Sequence, residues 1–289
     1  MKRLLDSIFI FLFCCFVWSC SSDKDEYTKI VTEWQGKEII LPQVMTDILT
    51  GDIINTDDAD FTILTYIDSV GCTSCAMKLP LWNYFLNSLD SVCNGTEYNA
   101  VFVVNSKDET ELSFLLKREK YYYPVVCDSL DFLNSTNHLP EAQMFRTFLL
   151  DKNNRVMAIG NPVFIPRIAN LYKSIISGKK TFSSTGTQII SVDNPKANLG
   201  LIGIGDEQTS TFILKNESNE NVRIRDIISS CQCTHASVSD STIAAKGELP
   251  VKITFKEDSI TGNFIRDILI YYHGFENPTI LEISGTVSN

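Results

Sequence analysis

The sequence predicts two domains, an α/β unit followed by an all-β sandwich, and three observations predict it. Upstream of about residue 180, apolar runs of strand length alternate with stretches of helical period. Downstream, short β-rich runs recur between turn signals, and no long helical period interrupts them. Between the two lies Ser177-Gly178-Lys179-Lys180-Thr181-Phe182-Ser183-Ser184-Thr185-Gly186, a Gly/Ser/Thr/Lys stretch of linker character. With 289 residues, 44% of them hydrophobic, the chain has enough apolar material for two cores. The expected division is 28–180 for the first domain, 181–186 for the linker and 187–289 for the second.

The N-terminus reads as a targeting segment. Lys2 and Arg3 precede an uncharged apolar run from Ile8 to Val17, long enough for the core of a signal peptide and too short to span a bilayer. Residues 1–19 are therefore expected to be removed. Val17-Trp18-Ser19-Cys20 resembles a bacterial lipobox, with Trp18 where a small residue is usual. The resemblance implies that Cys20 is lipidated and that residues 20–27 form a tether, placing the protein outside the cytoplasm on the envelope, at the outer membrane rather than the inner. Periplasmic and surface faces both remain open. The formal charge of −10, without any Lys/Arg cluster, argues against nucleic acid as a partner and leaves membrane attachment to the lipid.

In the first domain, Phe61–Asp68 reads as a strand and Cys75–Leu89 as a helix. Ala100–Val104 is an all-apolar strand of the buried type, and Asp108–Lys120 a second helix with Leu112, Leu115 and Leu116 on one face. Ser106 and Glu109 have capping-box spacing before it. Val125–Cys127 is a short strand, and Phe145–Asp151 with Arg155–Ile159 a hairpin turning at 152–154. A last helix starts at Pro166, carries Ile168, Leu171, Ile175 and Ile176 on its apolar face, and stops at Gly178. The order β-α-β-α-β-β-α, with a thiol pair after an early strand, is that of a thioredoxin fold. In the second domain, Thr211–Leu214, Val222–Ile228, Val251–Phe255, Phe264–Tyr272 and Ile280–Ile283 read as strands of an immunoglobulin-like sandwich of seven or eight.

The candidate chemistry lies at Cys72-Thr73-Ser74-Cys75, between a strand and a helix N-terminus. Unpaired N–H groups and the helix dipole favour a thiolate there, and the thiolate is the species that attacks disulfides. A structural disulfide, half of a zinc site and a redox pair are the alternatives; zinc would need two further ligands, for which the domain offers His138 and the scattered Cys93 and Cys127. In a redox pair Cys72 would attack and Cys75 resolve the mixed disulfide.

Residues of about 28–180 resemble the extracytoplasmic thioredoxin-like family of TlpA and ResA type. The resemblance rests on Cys72 and Cys75, on Pro80 five residues after Cys75, where thioredoxins kink their active-site helix, and on the hairpin Thr147-Phe148-Leu149-Leu150-Asp151. It implies a thiol–disulfide oxidoreductase without a cofactor, acting on protein disulfides or dithiols and coupled to an envelope electron donor. Three positions depart from the family: Gly71 replaces a Trp, Tyr66 stands where many thioredoxins bury a carboxylate, and Arg146 precedes Thr147 where they carry the substrate-side cis-proline. An arginine before this hairpin is also similar to peroxiredoxins. Their Pro-x-x-x-Thr-x-x-Cys is missing, with Asp68 and Cys72 at its Pro and Thr positions.

Residues of about 190–288 are similar to an uncharacterised bacterial Ig-like family related to the ASPM/SPD-2/Hydin type, through Leu199-Gly200, Phe212 to Asn216 and Ser230-Cys231-Gln232-Cys233-Thr234. If that last segment is extended, Cys231, Cys233 and His235 project from one face as a secondary thiol or metal site. Core cysteines and a Cys-X-Cys disulfide are the other readings, and no metal is expected. Cys93 and Cys127 read as small buried hydrophobes, with a bridge between them left open. Asn94, Asn134 and Asn216 head glycosylation-type triplets that read as turn chemistry. The favoured function is a lipid-anchored thiol–disulfide oxidoreductase; the competing one is a non-enzymatic envelope binding or assembly protein on a retained thioredoxin scaffold.

Overall fold

The structure is a computed structural model that describes residues 22–68, 77–93, 95–179, 189–275 and 277–289, with side chains from residue 27 onward. Cys20, Cys72, Cys75 and the linker 181–186 lie outside the described residues. No helix among those described is long and apolar enough to cross a membrane.

The first domain is a thioredoxin-like α/β unit. Its sheet has the order β3-β2-β1-β4-β5, formed by β1 (Phe61–Ile67), β2 (Tyr98–Val104), β3 (Val125–Cys127), β4 (Thr147–Asp151) and β5 (Val156–Ile159). The first three run parallel, β4 is antiparallel to β1, and β5 is antiparallel to β4. Alternation along β1 sends Ile63 and Ile67 to one core and Leu64 and Tyr66 to the other. The first core packs against α2 (Leu79–Asp90), α3 (Glu109–Arg118) and α5 (Pro166–Ser177); the second is covered by α1 (Ser22–Trp34) and α4 (Phe132–Asn137). Burial on both faces explains why the central strands read as continuous apolar runs.

Several elements differ from expectation, each for a local reason. Helix α1 begins at Ser22, inside the stretch assigned above to a tether; Trp34 supplies the reason, buried against Phe148 with ring centroids 5.2 Å apart. The expected helix is interrupted at Lys78, which adopts a left-handed conformation (φ 44): Met77 is helical, and α2 starts at Leu79 with Pro80 in its first turn, where its missing N–H costs nothing. The capping box is not formed. Asp108 is the N-cap of α3, accepting from the Glu111 N–H at 2.8 Å, while the Ser106 hydroxyl accepts from the Asp108 N–H. On α5, Leu171 is exposed and Tyr172 takes the core position.

The second domain is the expected immunoglobulin-like sandwich, with nine strands. One sheet has the order β10-β12-β8-β6 and the other β11-β9-β13-β14-β7. The strands are β6 (Ile190–Ser191), β7 (Lys196–Gly203), β8 (Glu207–Asn216), β9 (Val222–Ser229), β10 (Thr234–Val238), β11 (Thr242–Ile243), β12 (Glu248–Lys256), β13 (Gly262–Tyr272) and β14 (Thr279–Ser288). The two-residue β6 and β11 and the mostly polar-facing β7 and β10 carry too little apolar alternation to read as strands. Gly285 marks a register shift between β14 and β7: a Cβ there would lie 2.8 Å from the Gly200 carbonyl oxygen, so only glycine permits that approach. Asn216 is buried, its amide donating to three backbone carbonyls and its Oδ1 accepting from Ser218, which makes its triplet turn chemistry.

Strand β13 joins the domains. Its inward residues Ile268, Ile270 and Tyr272 enter the sandwich core, while Asp267, Leu269 and Tyr271, at the other phase, face the first domain. Leu269 belongs to the first domain's core, Tyr271 stacks on Tyr84 of α2 (4.8 Å, 30°), and Asp267 pairs with Lys78. The Tyr84 hydroxyl donates to Asp226 and accepts from Arg225, both on β9.

Candidate functional site

Two sequence-predicted features of the first domain meet at the C-terminal end of β1. Thr65 is opposite Thr147, their hydroxyl oxygens 3.4 Å apart, and the Tyr66 N–H donates to the Arg146 carbonyl. Arg146 is not a surface residue: its guanidinium pairs with Asp68 and donates to the Pro140 carbonyl at 2.7 Å. Asp68 is the last described residue before the Cys-X-X-Cys segment, and Met77 the first after it. Tyr66 lies buried with its hydroxyl on Asp131, and burial, then that bond, raises its pKa far above the usual phenol value.

The free cysteines among the described residues are Cys93 and Cys127. Cys93 is buried just past α2, its sulfur on the Leu89 carbonyl, and Cys127 donates to the Ser106 carbonyl. Both are unbridged, so no disulfide joins them. Burial, then the nearby Glu109 carboxylate, pushes the Cys127 thiol up, away from thiolate character.

The second-domain motif departs from the extended reading. Ser230 to Cys233 form a turn between β9 and β10, and Cys231 and Cys233 are joined as a disulfide. His235 is exposed on β10 and takes no part in the thiol cluster. The third group that comes near both sulfurs is the buried Glu257 carboxylate, the three ligand atoms lying within 4.8 Å of one another. As a disulfide the sulfurs are not thiolate ligands. Glu257 is also engaged by Arg118 and by the Ser259 N–H.

The turn sits at the domain junction. Glu119, the C-cap residue of α3, accepts from the Gln232 N–H at 2.9 Å, and its other oxygen lies 3.8 Å from the Cys231 sulfur. The Cys231 sulfur also accepts from the Cys233 N–H at 3.0 Å, and Arg266 Nε donates to the Cys233 sulfur at 3.3 Å. Arg118 bridges Glu119 and Glu257, so two arginines and two carboxylates surround the disulfide. Ser230 exchanges backbone and hydroxyl bonds with Asp267, the partner of Lys78. A polar surface pocket opens beside the turn, lined by Cys231 and His235 and, from α2, Pro80, Asn83, Tyr84 and Asn87. Glu119, Glu257 and Arg266 carry no sequence signal, because only the pairing of distant strands and the docking of the domains bring them to the sulfurs.

Residues 190–287 match DUF1573, described as a protein family of unknown function. No curated protein matches the chain. Among solved structures the first domain is similar to the thioredoxin domain of a thiol-disulfide oxidoreductase from Bacteroides vulgatus, at 14% identity and a TM-score of 0.37, over 48% of this chain and 97% of that one. It is similar also to a thiol:disulfide interchange protein from Bacteroides sp., at 15% identity and TM-score 0.35, over 48% and 88%. The chain spans 46% of a protein of unknown function from Porphyromonas gingivalis W83, at 10% identity over 34% of this chain and TM-score 0.30.

Proposed function

We propose that the protein is a lipid-anchored extracytoplasmic thiol–disulfide oxidoreductase, with Cys72 as attacking thiol, Cys75 as resolving thiol and Cys20 as the lipid attachment. The observation that carries the reading is the position of the Cys-X-X-Cys segment in the chain. It links the buried strand β1 to α2, with Arg146 and Thr147 at the head of the adjacent β4. That is where a thioredoxin-like sheet presents its thiols and the edge that holds a substrate backbone. No metal or organic cofactor is required for exchange, since the electrons travel in the sulfur–sulfur bond.

A second reading, a binding or assembly protein on a retained scaffold, draws on the occupied face of α2: Lys78 and Tyr84 already contact the second domain. Small-disulfide exchange separates the two. Purified wild type should exchange with oxidised glutathione, Cys75→Ser should hold glutathione on Cys72, and Cys72→Ser should hold at least tenfold less. A Cys72–Cys75 pair that stays oxidised in mild reductant, with neither variant retaining glutathione, would remove the oxidoreductase reading.

A further inference from the structure

We propose that the Cys231–Cys233 disulfide is a second redox site, which accepts two electrons from a dithiol that attacks Cys231 and expels Cys233. The inference stands on the junction geometry and does not depend on the activity of Cys72 and Cys75.

Stability does not account for this bond. A disulfide contributes chiefly by closing a loop in the unfolded chain, and a three-residue loop removes little entropy. The surroundings are instead asymmetric in the way exchange requires. Arg266 donates to the Cys233 sulfur, so a thiolate released there meets a buried guanidinium. The Cys231 sulfur faces the Glu119 carboxylate at 3.8 Å, which disfavours a thiolate and accepts from a thiol. Exchange is faster when the leaving sulfur is the better-stabilised anion, so attack falls on Cys231. Cys231 is also the cysteine that lines the pocket against α2.

The electrons and protons balance in two steps. A thiolate of the incoming dithiol bonds to the Cys231 sulfur, the Cys231–Cys233 bond breaks, and its electron pair leaves on Cys233 beside Arg266. The second thiol then gives its proton to Glu119 and attacks the mixed disulfide. Cys231 departs and takes that proton as a thiol, Cys233 remains the thiolate, and the incoming dithiol leaves as a disulfide. The proton lost when the first thiolate formed stays in solvent until Cys233 is protonated. The dithiol is either the chain's own Cys72/Cys75 pair or that of another molecule.

The full-length protein, equilibrated in glutathione redox buffers, quenched in acid and alkylated, reports the state of the peptide bearing Cys231 and Cys233 by mass, separately from that bearing Cys72 and Cys75. The bond should open and close reversibly while circular dichroism stays native. In a buffer that half-reduces the wild type, Arg266→Gln should shift the dithiol-to-disulfide ratio at least threefold downward, and Glu119→Gln, which loses the carboxylate that accepts from the Cys231 thiol, should also lower it. Cys233→Ser should retain glutathione on Cys231 at least tenfold more than Cys231→Ser retains it on Cys233, a comparison that survives if Arg266→Gln misfolds. A Cys72→Ser/Cys75→Ser double variant identifies the source. Loss of reduction by a thioredoxin-type protein, with reduction by glutathione kept, assigns the in-chain pair; retention of both assigns an external dithiol. A bond that opens only in denaturant, or a ratio and a glutathione asymmetry that none of these variants moves, would overturn the proposal.

Discussion

Glu119, at the C-terminal end of a first-domain helix, accepts a hydrogen bond at 2.9 Å from the N–H of Gln232, the residue between the two bridged cysteines of the second domain. The same carboxylate and that of Glu257 share the Arg118 guanidinium, all three being largely buried. Removing Arg118 takes the salt-bridge partner from two buried carboxylates, a change that costs about 3–5 kcal/mol where it has been isolated. Arg118→Ala should therefore lower the urea midpoint by that order. Arg155→Ala, whose partner Glu38 is exposed, should cost under about 1 kcal/mol. Equal effects for the two variants would contradict the buried network.

The isolated fragment 187–289 should fold as a β-rich unit, since every strand from β6 to β14 pairs within the domain. It should also be less soluble than the whole protein, because it exposes Leu269 and Tyr271, which the first domain covers. In the full chain Leu269→Ala should cost about 2–5 kcal/mol, as for other buried leucines, and Leu201→Ala, at an exposed position, close to nothing. Circular dichroism of the fragment checks the first statement: substantial helix or an unfolded spectrum would move the domain boundary.

The order of the longer elements was legible because the sheets of both domains are built from runs whose period is local. The run Ile268 to Tyr272 is apolar without alternation, and nothing in it says that its second face belongs to another domain. What stayed hidden was long-range. Trp34 marks a covering helix only once Phe148 is beside it, and Lys78 precedes α2 in a left-handed conformation that lysine does not advertise. In the candidate site the cysteines were visible and their environment was not. Cys231, Cys233 and His235 alternate as a strand would, but the chain turns there, and the groups near the sulfurs come from α3, β13 and the end of β12.

The turn should carry no stoichiometric metal. Its sulfurs are bonded to each other, Glu257 is held by Arg118 and the Ser259 N–H, and His235 is exposed outside the cluster. A soft-metal site needs thiolates with lone pairs free. Elemental analysis of the oxidised protein should find well under one zinc or copper per chain, and one per chain would reverse this reading.

Buried tyrosines set the alkaline limit of the fold. Burial pushes Tyr272 up to about 12 and raises Tyr121 and Tyr172 as well. The folded state thus holds the phenolic proton more tightly than the unfolded chain, whose tyrosines titrate near 10. The sign follows: this stability is fully present below about pH 10 and is lost as the pH climbs toward the folded value, at about 1.4 kcal/mol per unit for each such group. Tyr272 has a defined role to lose, since its hydroxyl donates to Thr279 on the neighbouring strand at 2.8 Å inside the sandwich. Tyr272→Phe should cost stability at pH 7 by about the value of one hydrogen bond, roughly 1 kcal/mol. It should also flatten the decline between about pH 10 and 12, because the substituted ring has no proton to give up. Urea unfolding at several pH values, with phenolate absorbance followed in parallel, measures both. A slope the same as that of the wild type over that window would mean that Tyr272 ionises without being felt by the fold, and that its burial is less complete than the packing around it requires.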